Sequence, residues 1–292
     1  MKTLLNISDL TKKDFNEILV NAKNFNIDTD RSLTNKNIGL IFEKNSTRTR
    51  LSFQVGIKQL NGNFIDIRLE ELNLNRFESY EDTFEIMACY LDCLVFRTTD
   101  HAKLELSKKY FKKPVINALS DISHPCQAIS DIYTLNEYFG SADNLNISWM
   151  GDINNVLLSL VESIKFLENT KINIFTERKI YEKYKHKFSN NNKVSFYFDL
   201  NDKILFDTDC VMTDVFNSMN DKEDKELLLK KFQINSQLMA KIKKTAIFMH
   251  CLPAKIDSEV TEDVLKGPQS IVIKQAKNRL VAQRGILKWL DI

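Results

Sequence analysis

From Glu43 to Arg50 the chain reads Glu-Lys-Asn-Ser-Thr-Arg-Thr-Arg, which sets the hydroxyls of Ser46, Thr47 and Thr49 beside the guanidinium groups of Arg48 and Arg50. The apolar run Ile38-Gly39-Leu40-Ile41-Phe42 before it reads as a buried strand, and Phe53, Ile57 and Leu60 after it share one helical face. Strand, polar turn and helix is the implied order, with Ser46 or Thr47 as the helix cap. Unpaired N–H groups at a helix start, hydroxyls and a planar arginine fork suit a phosphate dianion. The same residues also suit a helix start that is merely capped and solvated.

Other groups able to do chemistry fall at the same kind of junction. Arg97 closes the apolar run Cys93-Leu94-Val95-Phe96. His124 stands between the strand-like Pro114–Asn117 and a helix opened by Pro125, a residue suited to the first helical turn. Asp152 follows Ile147–Met150, Asp214 follows Cys210–Thr213, and His250-Cys251-Leu252-Pro253 follows Ala246–Met249. Ligands of open α/β sheets sit at the carboxyl ends of the strands. One arginine or histidine there is often structural, and it is the recurrence that points to a site. Gly151-Asp152 lies at a strand end but lacks the glycine spacing of a dinucleotide fingerprint, so nucleotide binding is rejected.

The elements that must position these groups alternate along the chain. Thr11-Lys12-Lys13-Asp14 and Ser79-Tyr80-Glu81-Asp82 have capping-box spacing and open helices. Asn63–Ile67 reads as a short strand, and 102–109 and the stretch from Pro125 to Phe139 read as helices. From Asn146 a second series begins: strands at 147–150, 171–175, 194–198, 210–213 and 246–249, with helices at 156–167 and up to Phe188. The chain is expected to close with a strand at Ser270–Ile273 and a helix from Lys274 to Leu290. The fold class is α/β, with two domains, each a mainly parallel sheet flanked by helices and the active site in the cleft between them. The first domain is expected at 1–135, joined by a C-terminal helix at 275–292, and the second at 136–274.

At 292 residues the chain is long enough for two cores. Its 41 Lys+Arg against 39 Asp+Glu leave a net charge of +2 and no basic block, which argues against a nucleic-acid partner. No run approaches the roughly 18 apolar residues of a membrane span, and the start lacks the apolar core of a signal peptide, so a soluble cytoplasmic protein is expected. Five cysteines, at 89, 93, 126, 210 and 251, suit free thiols in a reducing compartment. Cys89 and Cys93 have the spacing to face each other on a helix and read as buried small apolar residues.

Taken together, Ser46-Thr47-Arg48-Thr49-Arg50, His124-Pro125-Cys126-Gln127, Asp214 with Ser218-Met219, and His250-Cys251-Leu252-Pro253 resemble the ornithine carbamoyltransferases in order and spacing. The aspartate carbamoyltransferases look similar at the first motif only. The resemblance implies carbamoyl transfer from carbamoyl phosphate to the δ-amino group of L-ornithine, giving L-citrulline and phosphate in arginine metabolism, with no cofactor and no metal. It assigns Ser46, Thr47, Arg48, Thr49 and Arg97 to the phosphate, His124, Arg97 and Arg279 to the carbonyl, and Gln127 to the carbamoyl amide. Cys251 and Leu252 are assigned both to carbamoyl phosphate and, with Asp214, to the attacking amine, and Asn155, Asp214, Ser218 and Met219 to the ornithine head group. A homotrimer or a multiple of trimers is implied, with Asn73 of a neighbouring chain reaching the phosphate. Phe77, Asn220 and Lys277 depart from the family's usual residues. Rival readings are transfer to another amine, such as putrescine or an N-acylated ornithine, a catalytically silent relative, and a metal protein using His124, Cys126, His250 and Cys251.

Overall fold

The structure, a computed structural model, describes residues 1–75, 77–189, 191–217 and 223–292, with Asn75 by its backbone alone. The chain divides into two compact units, 1–133 with 277–292, and 134–276.

In the first unit β1 (Asn37–Phe42), β2 (Asn63–Ile67), β3 (Cys93–Arg97) and β4 (Val115–Leu119) form a wholly parallel sheet in the order β2-β1-β3-β4. Helices α1 (Lys12–Lys23), α2 (Thr47–Gln59), α3 (Tyr80–Tyr90) and α4 (His101–Phe111) belong to it. α5 (Pro125–Phe139) runs over the division in sequence. Thr11 and Asp14 cap α1 reciprocally, as their spacing requires. Leu5, Ile41, Phe84, Leu94, Phe96 and Phe111 belong to one buried cluster of this unit.

The chain runs from β1 outward to β2 and then returns past β1 to β3. The sheet therefore has its topological switch point between the carboxyl ends of β1 and β3, the usual crevice for a ligand. The Glu43–Arg50 stretch leaves the end of β1, and Arg97 is the last residue of β3.

The second unit repeats the plan. β5 (Asn146–Met150), β6 (Lys171–Phe175), β7 (Val194–Tyr197), β8 (Cys210–Thr213) and β9 (Ile247–His250) form a parallel sheet in the order β7-β6-β5-β8-β9. α6 (Asn155–Ser163), α7 (Arg178–Tyr184), α8 (Asp202–Phe206), α9 (Glu226–Leu229), α10 (Ser236–Met239) and α11 (Glu262–Leu265) connect its strands or come after them. Its switch point lies between β5, which leads into Gly151–Asn154, and β8, which leads into Asp214. Gly151 has φ +113°, and a Cβ there would stand 2.6 Å from the Phe216 ring, so glycine is required for this turn.

Three expectations are corrected. The last helix, α12, spans Val272–Leu290, so 270–273 is not a strand, although Ser270 makes a single bridge to Phe248. The β-branched run Ile271-Val272-Ile273 favours a strand, but burial of Val272, Gln275, Arg279, Ala282 and Ile286 follows helical spacing and wins. Helix α6 stops at Ser163 and continues as a 3-10 turn over Ile164–Phe166. Cys89 is exposed on α3 while Cys93 is buried in β3, so they do not share a helix face.

Candidate active site

The first half-site is built at the β1/β3 switch point. Ser46 caps α2 with extended backbone, its Oγ accepting the Thr49 N–H at 3.3 Å. Thr47 is exposed and Arg48 half-buried at the first turn, where helix N–H groups have no intrahelical partner. Arg50, counted in the sequence as a second guanidinium at this corner, instead pairs with Asp66 at 3.2 Å and lies over the Phe42 ring. The corner is therefore centred on Arg48.

Buried residues from distant parts of the chain support it. Arg279, 3% exposed on α12, donates from one terminal nitrogen to Thr49 Oγ1 at 3.0 Å and from the other to Gln127 Oε1. Thr49 keeps its own O–H to donate. Gln127 donates from Nε2 to Asp131 Oδ1 at 2.8 Å. Arg97 is buried at the last position of β3, where the pairing with β4 shifts register and its carbonyl accepts the Glu43 N–H.

His124 is buried at the N-terminus of α5, its carbonyl accepting the N–H groups of Gln127 and Ala128. Burial, and then the charges of Arg279 and Arg97, push its imidazole well below the usual histidine pKa, so it is neutral at pH 7. A neutral imidazole beside arginines suits donation of an N–H to a carbonyl oxygen better than base catalysis at this position.

Two residues to which the sequence assigned no role hold this half-site. Asn117 Nδ2 reaches the carbonyls of Leu5 at 2.8 Å and Ser123 at 3.3 Å, pinning the loop that delivers His124. Glu43 accepts from Thr98 Oγ1 at 2.6 Å, the Thr99 N–H at 3.1 Å and Lys103 Nζ at 2.6 Å, which ties the end of β1 to the residues after β3. Burial raises the Glu43 pKa, and the bonds from Lys103, Thr98 and Thr99 outweigh it and hold the carboxyl below its usual range. A charged residue after a strand and a polar residue inside an apolar run were the available signals.

The second half-site is acidic and sulfur-bearing. Asp214, 8% exposed, accepts from Cys251 Sγ at 3.0 Å on one oxygen and from Asn154 Nδ2 at 2.7 Å on the other. Asn154 also caps α6, accepting the N–H groups of Val156 and Leu157, so this one side chain orients both the helix and the carboxylate. The sequence motif singled out its neighbour Asn155, which is half-buried at the first position of α6. Ser218, Met219 and Asn220 lie outside the described residues. The neighbouring Asn217 binds Asp224 and the Lys225 N–H, and Lys225 Nζ pairs with the buried Asp152 at 2.8 Å.

His250 sits at the end of β9. Its Nδ1 accepts the Leu252 N–H at 2.9 Å, so the ring proton is on Nε2, which faces Glu259 Oε1 at 3.2 Å. His250 thereby shapes the turn that carries Cys251 and Leu252. Ligand atoms of Asp214, His250 and Cys251 lie within 4.8 Å of one another. Both imidazole nitrogens and the thiol are already bonded, which suits a hydrogen-bond network rather than a metal. The rival metal set fares no better: burial pushes the Cys126 thiol up to about 12, and its Sγ donates to the Asn117 carbonyl at 3.3 Å. A coordinating cysteine needs the opposite shift.

Each of the two parallel sheets offers polar groups at its switch point, cationic in the first unit and acidic in the second. Residues 2–137 match the family model described as aspartate/ornithine carbamoyltransferase, carbamoyl-P binding domain, and residues 143–290 match that of the Asp/Orn binding domain. The ornithine carbamoyltransferase of Agrobacterium fabrum is 39% identical, over 99% of this chain and 97% of its own. That of Methanosphaera stadtmanae is 39% identical over 98% of both. Among solved structures, the ornithine carbamoyltransferase from Pyrococcus furiosus superposes with a TM-score of 0.90 at 36% identity, covering 98% of this chain and 96% of that one. The chain belongs to the aspartate/ornithine carbamoyltransferase family.

Proposed function

We propose that the protein transfers the carbamoyl group of carbamoyl phosphate to the δ-amino group of L-ornithine, giving L-citrulline and phosphate, by direct attack of the amine. Full-length similarity to ornithine carbamoyltransferases supports the reaction. The observation that carries the site assignment is the buried Thr49–Arg279–Gln127 arrangement beside a neutral His124.

In this reading Ser46, Thr47, Arg48, Thr49 and Arg97 hold the phosphoryl oxygens. His124, Arg97 and Arg279 stabilise the carbonyl oxygen as it gains charge, and Gln127 holds the carbamoyl nitrogen. The new C–N bond forms as the C–O bond to phosphate breaks, and Arg48 neutralises the departing dianion.

The amine is the larger obstacle. A δ-amino group titrates near ~10.4, so presenting it neutral at pH 7 costs about 4.6 kcal/mol. The Asp214 carboxylate, which accepts a hydrogen bond from the Cys251 thiol, takes the ammonium proton before attack, and the second proton passes from the nitrogen to the departing phosphate as the C–N bond forms. Asn155, Asp214, Ser218 and Met219 are assigned to the α-amino and α-carboxylate groups. We further take the protein to be a cytoplasmic homotrimer, or a multiple of trimers, serving arginine metabolism without a cofactor. The exposed Asn73 reaches a neighbouring chain's phosphate in that arrangement. Among the described residues all five cysteines are free thiols, and no helix is long and apolar enough to cross a membrane.

The test is citrulline formation from carbamoyl phosphate and ornithine beside putrescine, N-acetylornithine and aspartate as acceptors. Citrulline alone supports the reading. Turnover with another acceptor keeps the phosphate half-site and overturns the ornithine assignment, and no turnover with any acceptor favours a silent relative.

A further inference from the structure

Resting on that reading of the site, we propose that Asp131 is the positioning residue that makes the protein select a carbamoyl group over other acyl phosphates. Asp131 is fully buried on α5, one turn beyond Gln127, and its Oδ1 accepts from Gln127 Nε2 at 2.8 Å. At the other end of the same amide, Gln127 Oε1 accepts from Arg279. A carboxylate only accepts and a guanidinium only donates, so the amide has one compatible orientation. Turned over, its NH2 would face the guanidinium and its oxygen the carboxylate, a double mismatch in a buried site.

The fixed orientation has a chemical consequence. Gln127 Oε1 carries a second lone pair, so the side chain presents an acceptor, never a donor, to whatever lies beside Arg279. Carbamoyl phosphate offers an NH2 donor there. Acetyl phosphate has the same phosphoryl and carbonyl groups but a methyl in that place, and a buried acceptor left unpaired rejects it. Gln127 makes the contact, and Asp131 together with Arg279 decides which end of Gln127 makes it.

Asp131→Asn is nearly isosteric but can face Gln127 with either a donor or an acceptor, so Arg279 alone is left to set the amide's orientation. The experiment measures citrulline formation for wild type and variant, with carbamoyl phosphate and ornithine varied and acetyl phosphate as a competitive inhibitor. The expected result is a KM for carbamoyl phosphate about tenfold higher, with the acetyl phosphate inhibition constant and the ornithine KM within about twofold of wild type. Added to Gln127→Met, which removes both ends of the amide, Asp131→Asn should change discrimination no further. Asp131→Ser, too short to hold the amide, replaces the asparagine variant should thermal unfolding show that it does not fold. Equal weakening of carbamoyl and acetyl phosphate, an unchanged profile, or an additive effect in the Gln127→Met background overturns the role of Asp131 while the activity stands. Wild type without citrulline formation overturns the reading of the site and this proposal together.

Discussion

At the switch point of the first sheet Arg48 opens a helix and Arg97 ends a strand, and the charges of Arg279 and Arg97 act on a neutral histidine. At that of the second, a carboxylate is shared by an asparagine and a thiol. The backbone plan is the same, so the sheets account for where each site forms and not for what it binds. The two also differ in how they are assembled. Thr49, Gln127 and Arg279 come from three helices far apart in sequence and meet in a buried network, which fixes the cationic half-site before any ligand arrives. Asp214, Asn154 and Cys251 each directly follow a strand or precede a helix, and are joined to one another across neighbouring strand ends. A leaving phosphate rewards rigid charge placed in advance, whereas deprotonating an amine needs a base whose proton can move.

Substitutions divide accordingly. Arg48→Ala removes charge neutralisation of the leaving group and is expected to lower kcat by about a thousandfold or more, read as citrulline formation; retention of wild-type turnover contradicts the phosphate assignment. Lys225→Met, in the second unit, removes the ion pair with the buried Asp152 and should cost about 3 kcal/mol in denaturant unfolding. The comparable change in the first unit, Lys103→Met, should cost only about 1 kcal/mol, because Lys103 is more exposed and Glu43 keeps two other donors. Equal losses would show that the two ion pairs are not distinguished by burial.

Cys251→Ala acts on the amine side alone and should reduce kcat about a hundredfold with the carbamoyl phosphate KM unchanged. A rise in that KM of the same size would merge the two half-sites into one role.

The smallest effect separates the halves by pH. The His124 pKa is depressed in the folded chain by burial and by Arg279 and Arg97, so below the ordinary value near ~6.5 the unfolded chain takes up a proton that the folded chain does not. Stability is therefore lost as pH falls through that value. At pH 5.5 the loss from this residue should be on the order of 1 kcal/mol, and His124→Asn should remove that part of the slope between pH 7.5 and 5.5 in denaturant titrations. An unchanged slope contradicts a neutral His124.

The strand-to-helix junctions were legible because a run of apolar residues followed by a polar turn and a helical stripe has few alternatives in a parallel sheet. Arg97, His124, Asp214 and Cys251 were singled out through those junctions, and each does lie at or directly after a strand end or at a helix start. What sequence could not carry is the direction of side chains within them. Arg50 reads like Arg48 but turns to Asp66, and Asn155 reads like Asn154, which caps the helix and holds Asp214. Asp131 has no signal beyond a helical spacing of four from Gln127, since its role exists only when Arg279 from the far end of the chain fixes the other side of the amide. The strand expected at 270–273 failed because local β-branched preference was outweighed by the burial of one face of a 19-residue helix.

The division of labour between the half-sites is tested most directly by initial rates of citrulline formation in Arg48→Lys and Asp214→Asn, with both substrates varied. Arg48→Lys keeps the charge and loses the planar fork, and should raise the KM for carbamoyl phosphate with that for ornithine unchanged. Asp214→Asn should raise the KM for ornithine with that for carbamoyl phosphate unchanged. Crossed effects, or both constants moving together in either variant, would contradict the account.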